Sequence, residues 1–296
     1  MEATAPKSAE REPPPTPTRS RLGVLLRAGV FAFFAFAGLL LFTPLLSPLG
    51  YLLTAVFSTF VAGAVANVLA IRIYERAHLA DIGLYWNAIS ARHLLLGFAG
   101  GGGAAVLVLA PPLLAGYAAL APQPDPDVTW GTFAFVSLVL LFGVVAEEVL
   151  FRGYAFQVLV PVYGAWATIL PMGVIFGAAH STNQNATHLG LLNTVAWGIL
   201  LGYAVLRSGD LWLAIGIHFG WNWTLPIFGV EVSGFKIKVT GYVLRWNLPE
   251  LWSGGDYGPE AGLLCTFVLA FMIAYLIKAP IRRQRLPLAG PGMEGA

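Results

Sequence analysis

Apolar residues run through the chain in blocks of about 16 to 25, parted by short polar or turn-forming breaks. This is the pattern of a chain that crosses a bilayer repeatedly as helices, since a helix needs about 20 apolar residues to span the hydrocarbon. The blocks lie approximately at residues 23–46, 48–71, 94–120, 130–159, 165–180, 189–206, 211–230 and 261–277. Ser47-Pro48, residues 122–128, 161–164 and 181–188, and Ser208-Gly209-Asp210 supply turn chemistry between them. The pattern predicts an all-α polytopic membrane protein of about eight transmembrane helices. The first block is too long for a signal-peptide core and has no cleavage pattern after it, so it is expected to be retained. Residues 1–22, with Pro6, Pro13, Pro14, Pro15 and Pro17, are expected to form a disordered tail. Residues 23–278 are then a membrane domain and 279–296 a basic C-terminal tail.

Composition agrees. Hydrophobic residues are 57% and charged residues 11% of the 296, against about 25% charged in globular domains, and mean hydropathy is +0.72. A soluble enzyme, a disordered chain and a secreted disulfide scaffold are excluded. Cys265 is the single cysteine and is expected to pack in the core. The net charge of +2 comes with no basic cluster interleaved with aromatics, so nucleic acid is not a partner and the lipid bilayer is. Arg19, Arg21, Arg27, Arg72, Arg76, Arg92, Arg207, Lys278, Arg282, Arg283 and Arg285 fall on one side of an eight-span arrangement, Asp125 and Asp127 on the other. The positive-inside rule then predicts a multi-pass plasma (inner) membrane protein with both termini cytoplasmic. Lys236, Lys238 and Arg245, in the 231–259 loop, stand outside that rule. With Trp246, Trp252 and Tyr257 this loop looks like an interfacial lid, but the three are expected rather to anchor it at the membrane surface. Gly100 to Gly103 lack a following Gly-Lys-Ser/Thr and are expected to let helices pack closely.

The chemistry lies in spans four, five and seven. Span four carries Glu147-Glu148-Val149-Leu150-Phe151-Arg152 with no polar break before it. Each charge at membrane depth costs about 2.5 to 3.5 kcal/mol on insertion scales, so three within six positions need an explanation. An i, i+4 surface pair of Glu148 and Arg152 at a helix end is the plain one. Register argues for more. Glu147 lies about 16 residues before the turn near Gly164 and His180 about 17 after it, so an antiparallel hairpin brings them level, and Arg152 with Phe176. Span seven carries His218 and Asn222 on one helical face. Two chemistries suit this set. In one, Glu147 is a general base, His180 helps hold the attacking water, and His218 and Asn222 donate to the oxyanion of a peptide carbonyl. In the other, His180, His218 and a carboxylate such as Glu147 bind Zn²⁺ and a remaining glutamate is the base. Arg152 neutralises Glu148 in either.

In these residues the chain resembles the CAAX prenyl endopeptidase type II and bacteriocin-processing (Abi, or CPBP) family of intramembrane proteases. Glu147-Glu148-x-x-x-Arg152, Phe176-x-x-x-His180 and His218-x-x-x-Asn222 stand in the order of that family's three motifs, over roughly residues 130–228. The resemblance implies an eight-helix membrane endopeptidase whose catalytic cavity opens toward the cytoplasm. Glu147 and His180 would activate water, His218 with Asn222 would form the oxyanion site, and Glu148 and Arg152 would support them, with or without a metal. The substrate would be a membrane-associated protein cleaved near its C-terminus, prenylated or not, or a peptide undergoing maturation. Two readings of other classes compete: a non-proteolytic membrane scaffold or bacteriocin self-immunity protein that uses the pocket for binding, and a transporter or channel. The absence of internal repeats speaks against the transporter.

Overall fold

The computed structural model describes residues 20–125 and 127–289. The expected disordered tail as far as position 19, and the end of the basic tail from position 290, lie outside the described residues. Helices α1 (Arg21–Leu46), α2 (Tyr51–Tyr74) and α3 (Ala88–Leu114) come first, then strand β1 (Ala118–Pro122). Helices α4 (Trp130–Arg152), α5 (Tyr154–Tyr163), α6 (Ala165–Ala179), α7 (His188–Ser208) and α8 (Trp212–Ile227) follow. Strand β2 (Tyr242–Trp246), the short α9 (Glu250–Ser253) and α10 (Leu263–Lys278) complete the order.

Helices occupy most of every expected block, and the architecture is an all-α polytopic membrane fold. Among the described residues, five stretches are long and apolar enough to cross a membrane: Arg21–Leu49, Tyr51–Tyr74, Ala88–Leu114, Trp130–Tyr163 and His188–Ser208. Helices α6, α8 and α10 have only 15, 16 and 16 residues. At 1.5 Å per residue each reaches about 24 Å, short of a hydrocarbon core of about 30 Å. Helix starts follow local chemistry: Asn87 accepts from the amides of Ile89 and Ser90, Thr129 from Thr132, and Thr187 from Gly190.

The structure corrects three expectations. Span four is not continuous, because the chain breaks at Gly153 between α4 and α5. Asn67 of α2 fills the gap: its Oδ1 accepts from the Tyr154 amide at 2.8 Å and its Nδ2 donates to the Val149 carbonyl at 3.0 Å. The apolar run expected to end span three at 120 instead leaves the helix at Leu114 and becomes β1, antiparallel to β2 with Ala118 opposite Trp246 and Pro122 opposite Tyr242. Tyr257, expected at the membrane surface, is 1% exposed.

Helix α7 is the most enclosed candidate span and α1 the least, with 61% and 17% of their apolar windows buried. Leu22, Leu26, Phe33, Phe36 and Leu40 of α1 are exposed and form a lipid face. Helices α3 and α8 meet backbone to backbone. A Cβ on Gly101 would overlap the Ile217 carbonyl, and one on Gly220 the Phe98 carbonyl, so the glycine run does serve close packing. Cys265 is fully buried and unpaired.

The arginine-rich segments gather at one end. Tyr163 bonds the Arg21 carbonyl, Arg27 pairs with Glu75, and Arg207 bonds the Ile281 carbonyl. Residues 279–289 dock there, with Ile281, Leu286 and Leu288 buried. The β1–β2 ribbon, the α6–α7 turn and the 231–262 segment form the opposite end, where Asn183 bonds the Ser233 carbonyl and Lys238 pairs with Asp125.

Candidate active site

Three helices meet at one point, each bringing one motif. The last two turns of α4 place Glu148 and Arg152 inward, at 0% and 1% exposure, and leave Glu147 at the edge of a cavity. Glu148 Oε1 accepts from Arg152 Nη1 at 3.1 Å and from His218 Nδ1, across on α8, at 2.9 Å. The other arginine nitrogen donates to the Gly198 carbonyl of α7 at 3.0 Å. The guanidinium carbon lies 4.4 Å from the centre of the Phe176 ring, a cation–π contact out of water. Helix α6 thus meets α4 as the hairpin register requires. Arg152 and Phe176 form the structural layer beneath the site, and Glu147 and His180 the layer above it.

Hydrogen-bond partners fix the imidazole protons. His180 Nδ1 lies 2.8 Å from the Phe176 carbonyl, which can only accept. His218 Nδ1 lies against the Glu148 carboxylate. Both Nδ1 atoms are therefore donors, and in the neutral rings both Nε2 atoms carry lone pairs. Glu147 Oε2 lies 3.9 Å from Nε2 of His180 and 3.8 Å from Nε2 of His218, with no hydrogen-bond partner of its own. Three acceptors converge with no donor between them. A water about 2.7 to 2.9 Å away could donate its two protons to two of the three, such as Glu147 Oε2 and His180 Nε2. A tetrahedral zinc with bonds of about 2.0 to 2.2 Å holds its ligand atoms only about 3.3 to 3.5 Å apart. The expected ligand set of Glu147, His180 and His218 is wider than that, and among the described residues no group of three His, Cys, Asp or Glu side chains has metal-site geometry.

The cavity beside Glu147 has a volume of about 360 Å³. Its lining includes His180, His218 and Asn222, the first half of α2 from Tyr51 to Thr59, Thr182 and Asn183 of the α6–α7 turn, and residues 232–237. The amide of Asn222 has no partner among the described residues, which leaves a free donor at the cavity wall. The lining residues Tyr51, Asn183 and Phe235 belong to the end away from the arginines.

Residues 129–224 match the family model described as Rce1-like, type II CAAX prenyl endopeptidase Rce1-like. The Rce1-like segment is about a third of the chain and runs from the cap of α4 into α8, so it contains all three motifs. No curated protein and no solved structure matches the chain.

Sequence reasoning missed one neighbour of the Rce1-like segment. Glu260, just before α10, is 3% exposed and accepts from Trp221 Nε1 at 3.0 Å. With Ser233 it shares a void of about 30 Å³ with His180, His218 and Asn222. Asn193 of α7 draws it in by donating to the Glu260 and Gly262 carbonyls at 2.8 and 3.1 Å. Asn193, a polar residue within an apolar span, was the available signal.

Proposed function

We propose that the protein is an intramembrane endopeptidase of the CAAX type, using water activated by Glu147 and His180. The observation that carries this reading is the Glu147 carboxylate oxygen, which stands between two imidazole nitrogens at the foot of a cavity large enough for a peptide segment. Water held by Glu147 Oε2 and His180 Nε2 gives its proton to Glu147 as its oxygen bonds the scissile carbonyl carbon. Glu147 then passes that proton to the amine nitrogen as the C–N bond breaks. Asn222 donates to the oxyanion. His218 donates to it when its ring carries a proton on Nε2 as well as on the Nδ1 that faces Glu148. Arg152 holds Glu148 in place for this.

The arginine-rich end is assigned to the cytoplasm on the positive-inside rule. The Tyr51, Asn183 and Phe235 lining of the cavity then lies toward the other side, which favours maturation of a peptide presented there over trimming of a cytosolic protein's C-terminus. Purified Glu147→Ala protein should lose at least about a hundredfold in cleavage of a randomised peptide pool, the scale of a general base, while retaining its unfolding temperature. Full activity in a folded Glu147→Ala protein would remove the reading. Glu147→Gln separates catalysis from binding, since a scaffold or immunity protein would keep its cellular effect with the isosteric amide.

A further inference from the structure

Within the loop whose aromatics are expected to anchor it at the membrane surface, Phe235-Lys236-Ile237-Lys238-Val239 alternates apolar and charged side chains. Ile237 and Val239 are buried, whereas Lys236 and Lys238 are exposed. This is the two-residue period of a strand. Its apolar face rests on Leu140 of α4 and on Phe219 and Trp223 of α8, and Phe235 stacks on Tyr51 with ring centres 5.2 Å apart. The segment is also tied at both ends. Val232 and Phe235 exchange two backbone hydrogen bonds of 3.0 and 2.8 Å, and the Gly241 carbonyl accepts from the Gln123 amide at 2.8 Å.

Between those ties, no backbone amide or carbonyl of residues 236–239 bonds another backbone group among the described residues. A segment whose side chains are seated while its backbone edge stays free is a template for one more strand. This edge leads into the catalytic cavity, because Phe235 and Ile237 line that cavity together with Glu147, His218 and Asn222. On its other flank a second cavity of about 260 Å³ is lined by Lys236, Lys238 and Arg245, with Tyr242 and Val243 of β2. Lys238 is paired with Asp125 and Lys236 with Glu231, while Arg245 brings a third positive charge to the same wall.

We infer that the substrate is taken up as an extended strand on the free edge of residues 236–239, with acidic side chains on its Lys236, Lys238 and Arg245 face and apolar ones on the face toward α4 and α8. The inference rests on the endopeptidase reading and adds the conformation and charge class of the peptide. Opposite charges directly across a strand pair select partners. A rigidly seated edge costs little to order on binding. Strand pairing also presents a peptide bond stretched and open to the water beside Glu147.

The test uses the full chain in detergent with Glu147→Gln, which is expected to bind without turnover. A fluorescein-labelled peptide of alternating valine and glutamate is titrated by anisotropy, alongside versions N-methylated at one backbone position at a time. Methylation at every second position should weaken binding about tenfold, the loss of roughly one well-made hydrogen bond, while methylation at the intervening positions should change it little. Lysine in place of glutamate should weaken binding to a similar degree. No binding, or methylation effects without alternation, overturns the strand site, and equal binding of the lysine peptide overturns its charge preference. The same peptides offered to the wild-type chain separate the two readings. Alternating binding without cleavage leaves the strand site standing and counts against the endopeptidase, whereas cleavage without alternation does the reverse.

Discussion

Glu148 is a carboxylate with no exposed surface, and Arg152 and His218 both bond its Oε1. Removing one partner of a buried pair strands the other charge, at a cost of about 3 to 5 kcal/mol. Arg152→Met should therefore lower stability by that amount in a denaturant titration. Arg152→Lys should recover only part of it, since an ammonium cannot bond Glu148, bond the Gly198 carbonyl and lie flat on Phe176 together. Burial holds the Glu260 carboxyl above its ordinary range, against the opposing hydrogen bonds from Trp221 and Ser233. A carboxyl that binds its proton more tightly folded than unfolded stabilises fully below the unfolded value. That increment fades as pH rises through the raised folded value. Glu260→Gln should thus flatten the loss of stability between mildly acidic and neutral pH, read from melting temperatures across that range. The motif residues were legible in the sequence because charge inside an apolar block is expensive. Glu260 was not, since a carboxylate in a loop is ordinary until Asn193 draws its backbone against α7.

At the scale of elements, the break between α4 and α5 sets the direction in which α4 presents its motif. Asn67 supplies an acceptor for the Tyr154 amide and a donor for the Val149 carbonyl at that break. Asn67→Leu should remove both hydrogen bonds, costing about 0.5 to 1.5 kcal/mol for each. Hydrogen exchange should show faster opening at residues 149–155. The helices were legible from apolar block length and the glycine contact of α3 with α8 from the small-residue run. The β1–β2 ribbon was not legible. Residues 118–122 read as the tail of an apolar span, and what makes them a strand is pairing with residues more than a hundred positions away.

For the whole molecule, orientation decides which substrates can reach the cavity. The ten described Arg and Lys side chains from Arg21 to Arg285 that obey the positive-inside pattern lie at one end, and the Tyr51, Asn183 and Phe235 lining of the cavity lies toward the other. A cysteine introduced at Asp125, the ribbon end, should react with an impermeant thiol reagent from outside intact cells and be silent to one confined to the cytoplasm. Labelling from the cytoplasm would reverse the molecule and put that lining on the cytoplasmic side. Because Glu147, His180 and His218 stand wider apart than zinc ligands, strong chelation should leave peptide cleavage within about twofold of its untreated rate. A loss repaired by added zinc would show the three side chains closing on the metal.

The sequence by itself determined that the chain lives in a bilayer, where its helices lie, and which six charged or polar side chains meet. Each follows from local costs: apolar length for spans, insertion energy for charges and rise per residue for hairpin register. Tertiary structure alone decided which partners the imidazole Nδ1 atoms face, how far Glu147 stands from each Nε2, which residues line the cavity and the free edge beside it. Those depend on angles and separations between helices distant in sequence, and one-dimensional spacing carries no measure of either.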